Sequence, residues 1–339
     1  MDPAIKVLVT MPFQEVQLRK LAGVSPQIAL TQREARTIED IADSIAEAHV
    51  LYTWRVLPYP EQAPNLRWVQ LHQAGIDQFL DHPLYSGTDV IFTTASGIHA
   101  INVGEHVLGQ MLALAHHFRR MVEDQARGTW PEKRWKRYLP RELFGATVGI
   151  IGYGSIGRQV ARLAQAFGMT VLAVKRDARH PAEENSYTIP GTGDPEGIIP
   201  DRIYPPEALH SFLAECDFVV LAAPLTQQTR ALLDARALRA MKPDAFLINV
   251  ARGALVDEGA LIEALEGQQI AGAALDTFSE EPLPGDSPLW RLPNTIISPH
   301  VSGFTPCYNE RAADLFAENL RRFVAGETLI NLVDRKRNY

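Results

Sequence analysis

ATVGIIGYGSIGRQVARLAQAFG, residues 146–168, decides the fold. Ala146 to Ile151 is a continuous apolar run, the pattern of a strand buried on both faces, and RQVARLAQAFG has helical spacing. Between them stands Gly152-Tyr153-Gly154-Ser155-Ile156-Gly157, in the strand–turn–helix context that a dinucleotide fingerprint requires. Gly152 permits the tight turn, Gly154 lets the backbone approach a pyrophosphate, and Gly157 lets the helix pack closely on the strand. The helix N-terminus then faces the negative charge. The segment predicts a doubly wound α/β sheet that binds a dinucleotide cofactor.

Working outward, further strands read at Thr170 to Val174, Phe218 to Ala222, Ala245 to Asn249, Ala271 to Leu275 and Thr295 to Ser298, separated by helical stretches. The Pro- and Gly-rich segment Arg179 to Pro206 is far longer than an ordinary connection of about 2–6 residues, and reads as a surface insertion, a flap beside the cofactor. Upstream, Lys6 to Thr10, Ala48 to Trp54, Leu66 to Leu71 and Val90 to Thr94 alternate with helical stretches and form another α/β unit. One long amphipathic helix, Val103 to Arg120, connects the two, with Arg119 and Arg120 in its last turn where cations suit the dipole. A final helix, Asn309 to Ala325, packs back on the first unit. The expected architecture is two doubly wound, Rossmann-like parallel-sheet domains with the active-site cleft between them: 1–101 plus 302–339 for substrate, 102–301 for the dinucleotide.

Composition narrows the function classes. The chain has 339 residues, 46% hydrophobic and 22% charged, enough for two stable cores. A net charge of −7 is the opposite of a nucleic-acid or anionic-membrane footprint, so no nucleic-acid partner is expected and the cofactor's phosphates must be met locally. Cys216 and Cys307 stand alone, outside any metal-ligand spacing, so neither a disulfide framework nor a metal is expected. No apolar run approaches the ~18 residues that span a bilayer, and the start MDPAIKVLVTMPF lacks the shape of a signal peptide, so a cytoplasmic location is expected.

Cofactor choice is read at the tip of the second strand, where an acid would bond a ribose 2′-hydroxyl and a cation a 2′-phosphate. The sequence there is Val174-Lys175-Arg176-Asp177, and Lys175 with Arg176 favours NADP; NAD, with Asp177 reaching the ribose, is the alternative. Three later strand ends carry Arg252 (in NVARGALVD), Glu281 (in LDTFSEEPLP) and His300 (in SPHVSG). Reduction of a 2-keto acid asks for these types. A guanidinium holds the carboxylate and polarises the carbonyl, an imidazole donates the proton, and a carboxylate stabilises the imidazolium.

With these motifs in view, the chain resembles the D-isomer-specific 2-hydroxyacid dehydrogenase family from end to end. The resemblance implies that Arg252 binds substrate, that Glu281 pairs with His300, and that Asp276 lies near the nicotinamide. It further implies that Ser155 and Ile156 cap the pyrophosphate, Pro224 and Thr229 line the cofactor groove, and Val250 and Ala251 touch the cofactor by backbone. The turn Gln73-Ala74-Gly75-Ile76-Asp77 is similar to the family's carboxylate-binding loop, which assigns Ala74 and Gly75 to substrate. A homodimer built through the long helix is implied, and a small 2-keto or 2-hydroxy acid of the glyoxylate or hydroxypyruvate type is the favoured substrate. Two departures stand out: Lys175 replaces the usual acid, and the insertion is longer than usual. A nucleotide-sensing corepressor of the same fold is the competing reading.

Overall fold

The computed structural model describes residues 4–337. The chain divides into two compact units: residues 4–98, 184–189 and 305–337 form the first, and residues 99–183 and 190–304 the second. Each is an α/β unit on one parallel sheet.

In the first unit, β1 (Ile5–Val9), β2 (Ile28–Gln32), β3 (Val50–Thr53), β4 (Trp68–Leu71) and β5 (Ile91–Thr93) lie in the order β2-β1-β3-β4-β5. Alternate residues serve opposite faces, as the two-residue period of a strand demands. Val7, Val9, Val50, Tyr52 and Trp68 pack with Ala312, Leu315, Phe316 and Leu320 of the helix Tyr308–Ala325. Leu8, Leu51, Val69, Leu71 and Phe92 pack on the other side with Ile41, Ile45 and Leu84.

The second unit holds β6 (Thr147–Ile151), β7 (Thr170–Val174), β8 (Arg202–Tyr204), β9 (Phe218–Leu221), β10 (Phe246–Asn249), β11 (Gly272–Leu275) and β12 (Thr295–Ile297). Their order is β12-β11-β10-β9-β6-β7-β8, so β6 pairs with both β7 and β9 and the winding reverses there. Ligands bind at the carboxyl ends of strands beside such a reversal. Val148, Ile150, Val171, Val220 and Ile248 face Val103, Val107 and Met111 of the helix Ala100–Ala115. On the opposite face, Ile151, Leu172, Val219 and Leu247 pack with Phe212, Leu213 and Leu238. Burial on both faces is why these strands read as unbroken apolar runs.

Three features depart from the sequence reading. The helix expected over Val103 to Arg120 ends at Ala115, because His117 takes a left-handed backbone (φ 58°) and breaks the hydrogen-bond ladder; a second helix, Phe118–Ala126, follows. Arg119 therefore sits in a first turn, where it pairs with Glu123 and donates to the carbonyls of Leu292 and Thr295. The insertion is not confined to the surface. It supplies β8, it buries Asp194 (3% exposed), and its Glu184–Ile189 stretch belongs to the first unit. There the Tyr187 and Asn331 amides donate to the Asn331 side chain and the Asn185 carbonyl, respectively. Finally, β2, half-exposed at the sheet edge, was invisible as a strand in the sequence.

Candidate active site

The glycine-rich turn leaves β6 where the sheet order reverses. Gly152 has φ +99°, and a Cβ there would lie 2.5 Å from the Ala223 amide nitrogen, so the turn abuts the chain leaving β9. A Cβ on Gly157 would lie 2.2 Å from the Gly152 carbonyl oxygen, which explains the close seat of the helix Ser155–Ala166. Gly154 is different. It has φ −93°, a value open to any residue, and a Cβ built on it meets nothing within 4 Å. Neither strain nor packing demands glycine there, so the bare Cα fits a ligand that approaches the N-terminus of that helix. Ser155 and Ile156, half-buried, form its first turn.

Beyond β9, the Thr229 hydroxyl donates to the Pro224 carbonyl (2.7 Å) and accepts the Thr226 amide (2.8 Å), closing the turn that carries both candidate residues. Beyond β10, Val250 and Ala251 are buried, and the Asn249 side chain accepts the Ala251 amide and donates to the Arg252 carbonyl. Arg252 donates from Nη1 to the Ala251 carbonyl (2.8 Å). Gly253 lets this turn meet the next one, since a Cβ there would lie 1.9 Å from the Phe278 carbonyl carbon.

Glu281 follows β11. Its Oε1 accepts the Phe278 amide (3.0 Å), and its Oε2 lies 2.7 Å from His300 Nδ1, after β12. Both side chains remain open to solvent, at 37% and 48% exposure. His300 holds a left-handed backbone (φ 53°), a strained geometry for a non-glycine residue. Asp276 grips the loop on both sides of it, accepting the Ser298 hydroxyl (2.6 Å) and the amides of Val301 and Ser302 (3.0 Å each). Burial works against the charged form of Asp276, yet its bonds with Ser298, Ser302 and Val301 hold its carboxyl below the usual aspartate range. From the helix Ala100–Ala115, Asn102 donates to the Ser302 carbonyl (2.6 Å), and His106 Nε2 lies 3.2 Å from Ser298 Oγ. Ser298, Asn102 and His106 escaped the sequence reading because their partners lie 22 to 200 residues away.

At the tip of β7, half-buried Lys175 donates to the carbonyls of His180 (2.5 Å), Pro181 (3.1 Å) and Ala182 (3.2 Å). Burial, with Arg158 nearby, holds its ammonium below the usual lysine range. Asp177 accepts the amides of Arg179 and His180 and pairs with the His180 ring (2.8 Å), so its carboxylate is committed to the local turn. Arg176 is exposed. In the first unit, the exposed Ala74 and half-buried Gly75 follow β4, with Gln73 donating to the Gly75 carbonyl (3.3 Å) and accepting the Ala95 amide through its own carbonyl. Among the described residues no group of three or more His, Cys, Asp or Glu could hold a metal ion, and no helix is long and apolar enough to cross a membrane.

The second unit thus brings a reversal-point glycine turn, an Arg, a Glu–His pair and a buried Asp to successive strand ends of one sheet, the side at which a doubly wound sheet binds its ligands. The pattern of the D-isomer specific 2-hydroxyacid dehydrogenase NAD binding domain matches residues 108–302, and the chain belongs to that family of NAD(P)-dependent enzymes acting on the CH–OH group. It is 35% identical over 288 residues to a glyoxylate reductase of Pyrococcus furiosus, covering 81% of this chain and 78% of that one. It is 33% identical over 335 residues to the D-3-phosphoglycerate dehydrogenase of Methanocaldococcus jannaschii; the match covers 97% of this chain but only 59% of that relative's length. Among solved structures, the D-isomer specific 2-hydroxyacid dehydrogenase of Xanthobacter autotrophicus Py2 in complex with NADPH and MES superposes with a TM-score of 0.80, at 28% identity, covering 99% of this chain and all of that one.

Proposed function

We propose that this chain reduces a small 2-keto acid of the glyoxylate or hydroxypyruvate type to its D-2-hydroxy acid, with NADP as the preferred cofactor and a homodimer as the working form. The observation that carries the reading is the solvent-accessible His300 Nδ1–Glu281 Oε2 contact of 2.7 Å, one strand away from the turn of Arg252. With Nδ1–H donating to Glu281, His300 presents Nε2 to substrate and gives its proton to the carbonyl oxygen as charge develops there. Glu281 fixes the ring and stabilises imidazolium. Arg252 holds the substrate carboxylate and polarises the carbonyl. When bound, the nicotinamide supplies hydride.

Gly152, Gly154, Ser155, Ile156 and Gly157 would hold the pyrophosphate, with Pro224, Thr229, Val250, Ala251 and Asp276 along the remaining groove. For the 2′-phosphate, Arg176 is the exposed cation, while Lys175 shapes the turn that presents it. A subunit partner is supported by the exposed Phe118, Val122, Trp130, Trp135 and Leu139, all within one segment and left uncovered by this chain. The test is steady-state reduction of a keto-acid panel with each cofactor. Glyoxylate or hydroxypyruvate with NADPH should give the highest kcat/KM, and equal or better use of NADH would refute the cofactor assignment.

A further inference from the structure

The insertion buries charge against the cofactor turn, which a plain connection has no reason to do. Tyr153, between Gly152 and Gly154, is the one residue of that triplet with a side chain, and it is 2% exposed. Its hydroxyl donates to Asp194 Oδ2 (2.6 Å), a carboxylate delivered from the middle of the insertion. Asp194 is itself fixed, since its Oδ1 and Oδ2 accept the amides of Ile198 and Ile199 (3.1 Å each). Behind the pair, Arg158 (3% exposed) places its guanidinium 4.7 Å from the Tyr153 ring centre. Arg158 also reaches the insertion through Glu183 Oε2 (3.0 Å) and the carbonyls of Asp194 and Pro181. Gln159 Oε1 accepts the Gly193 amide (2.8 Å), and Lys175 gathers the carbonyls of residues 180–182 at the tip of β7.

We propose that Asp194 is a positioning residue for the cofactor: acting through the Tyr153 hydroxyl, it fixes the glycine-rich turn whose amides meet the pyrophosphate. Two flanking glycines give the turn great backbone freedom, and ordering it at the moment of binding would weaken affinity; a turn already held binds without that loss. Burial, with the Asp194 charge beside it, pushes the Tyr153 hydroxyl far above its usual range, so it stays a donor at any working pH. The insertion is thus the outer brace of the cofactor site, built into this chain where the sequence alone suggested a flap. The inference rests on reading the turn as the pyrophosphate site.

Tyr153→Phe removes the hydroxyl and keeps the ring, and Asp194 retains its two backbone donors, so the fold should persist. The experiment measures NADPH affinity by fluorescence titration, steady-state kinetics and Tm for Tyr153→Phe, Asp194→Asn, the double variant and Gly154→Ala. Tyr153→Phe and Asp194→Asn should each raise the NADPH Kd and KM about tenfold, with keto-acid KM and saturating kcat within about twofold, and the double should be no worse than either single, as expected for one shared contact. Tyr153→Phe with wild-type NADPH Kd, whether or not its Tm falls, overturns the proposal provided Gly154→Ala weakens binding. If Gly154→Ala also leaves affinity unchanged, the turn is not the pyrophosphate site and the underlying reading fails with it.

Discussion

Gly154→Ala separates what the glycine-rich turn needs for folding from what it needs for the cofactor. The added methyl meets no protein atom within 4 Å, and the backbone there (φ −93°, ψ −163°) suits alanine. At a helix N-cap, alanine is worse than glycine by up to about 1 kcal/mol, while the less flexible unfolded chain returns about 0.4–1 kcal/mol. The two nearly cancel, so Tm should move by less than about 4 °C in a unit of this size. The cofactor feels the change differently, because the methyl occupies the space through which a phosphate oxygen approaches the turn's amides. Losing one hydrogen bond to a charged group costs roughly 1.5–3 kcal/mol, or about 10- to 150-fold in Kd. Gly157→Ala makes the contrast: its Cβ would sit 2.2 Å from the Gly152 oxygen, so stability should fall with affinity. Cofactor titration beside thermal unfolding reads both quantities. A folded Gly154→Ala protein with undiminished NADPH affinity would refute the reasoning.

Other perturbations test separate parts of the account. Arg176→Ala should reduce the NADPH-to-NADH ratio of kcat/KM by about tenfold, whereas Lys175→Ala should act first on Tm by freeing the carbonyls of residues 180–182; equal ratios in wild type and Arg176→Ala would remove Arg176 from the phosphate site. Trp130 and Trp135 are 81% and 61% exposed, and we propose that in a homodimer they wall the partner's substrate pocket: mixed dimers of Arg252→Ala with Trp130→Ala/Trp135→Ala subunits should then keep one active site, and inactive mixed dimers would mean that the loop serves its own subunit. Arg321, then Arg322, draw the Glu318 carboxyl down to about 2. Because that folded-state value is depressed, the pair's stabilisation is complete above the unfolded value and is lost as pH falls from about 4.5 toward 2. After allowance for solvent screening it amounts to about 1 kcal/mol, so Glu318→Gln should lower Tm at neutral pH and leave it unchanged near pH 2.

Much of this molecule is legible in the sequence because its parallel strands are buried on both faces. Val148 to Ile151 and Phe218 to Leu221 must be apolar throughout, and they announce themselves. The half-exposed edge strand β2 carries no such mark, nor does the three-residue β8 inside a proline-rich stretch. The single helix read over Val103 to Arg120 failed for a local reason: nothing in the side-chain pattern signals the left-handed turn at His117. The placement of Arg252, Glu281 and His300 after neighbouring strands was readable because strands next to one another in the sheet follow one another in the sequence. The Asp276 clamp on both sides of His300 and the Tyr153–Asp194 bond were not, because each joins residues through three-dimensional packing that no periodicity records. Lys175 illustrates the limit of counting charges, since it is a cation in the expected place whose ammonium faces carbonyls.

In the proposed reaction His300, held by Glu281, protonates the carbonyl of a 2-keto acid. The most direct test is kcat/KM for hydroxypyruvate with saturating NADPH in the wild type, Glu281→Gln and His300→Gln, with NADPH Kd measured in each. Loss of the proton donor should reduce kcat/KM by about 10²- to 10⁴-fold in His300→Gln, with a smaller loss in Glu281→Gln and unchanged NADPH binding in both. Turnover in His300→Gln within a few-fold of wild type, or a loss explained wholly by weaker NADPH binding, would contradict the account.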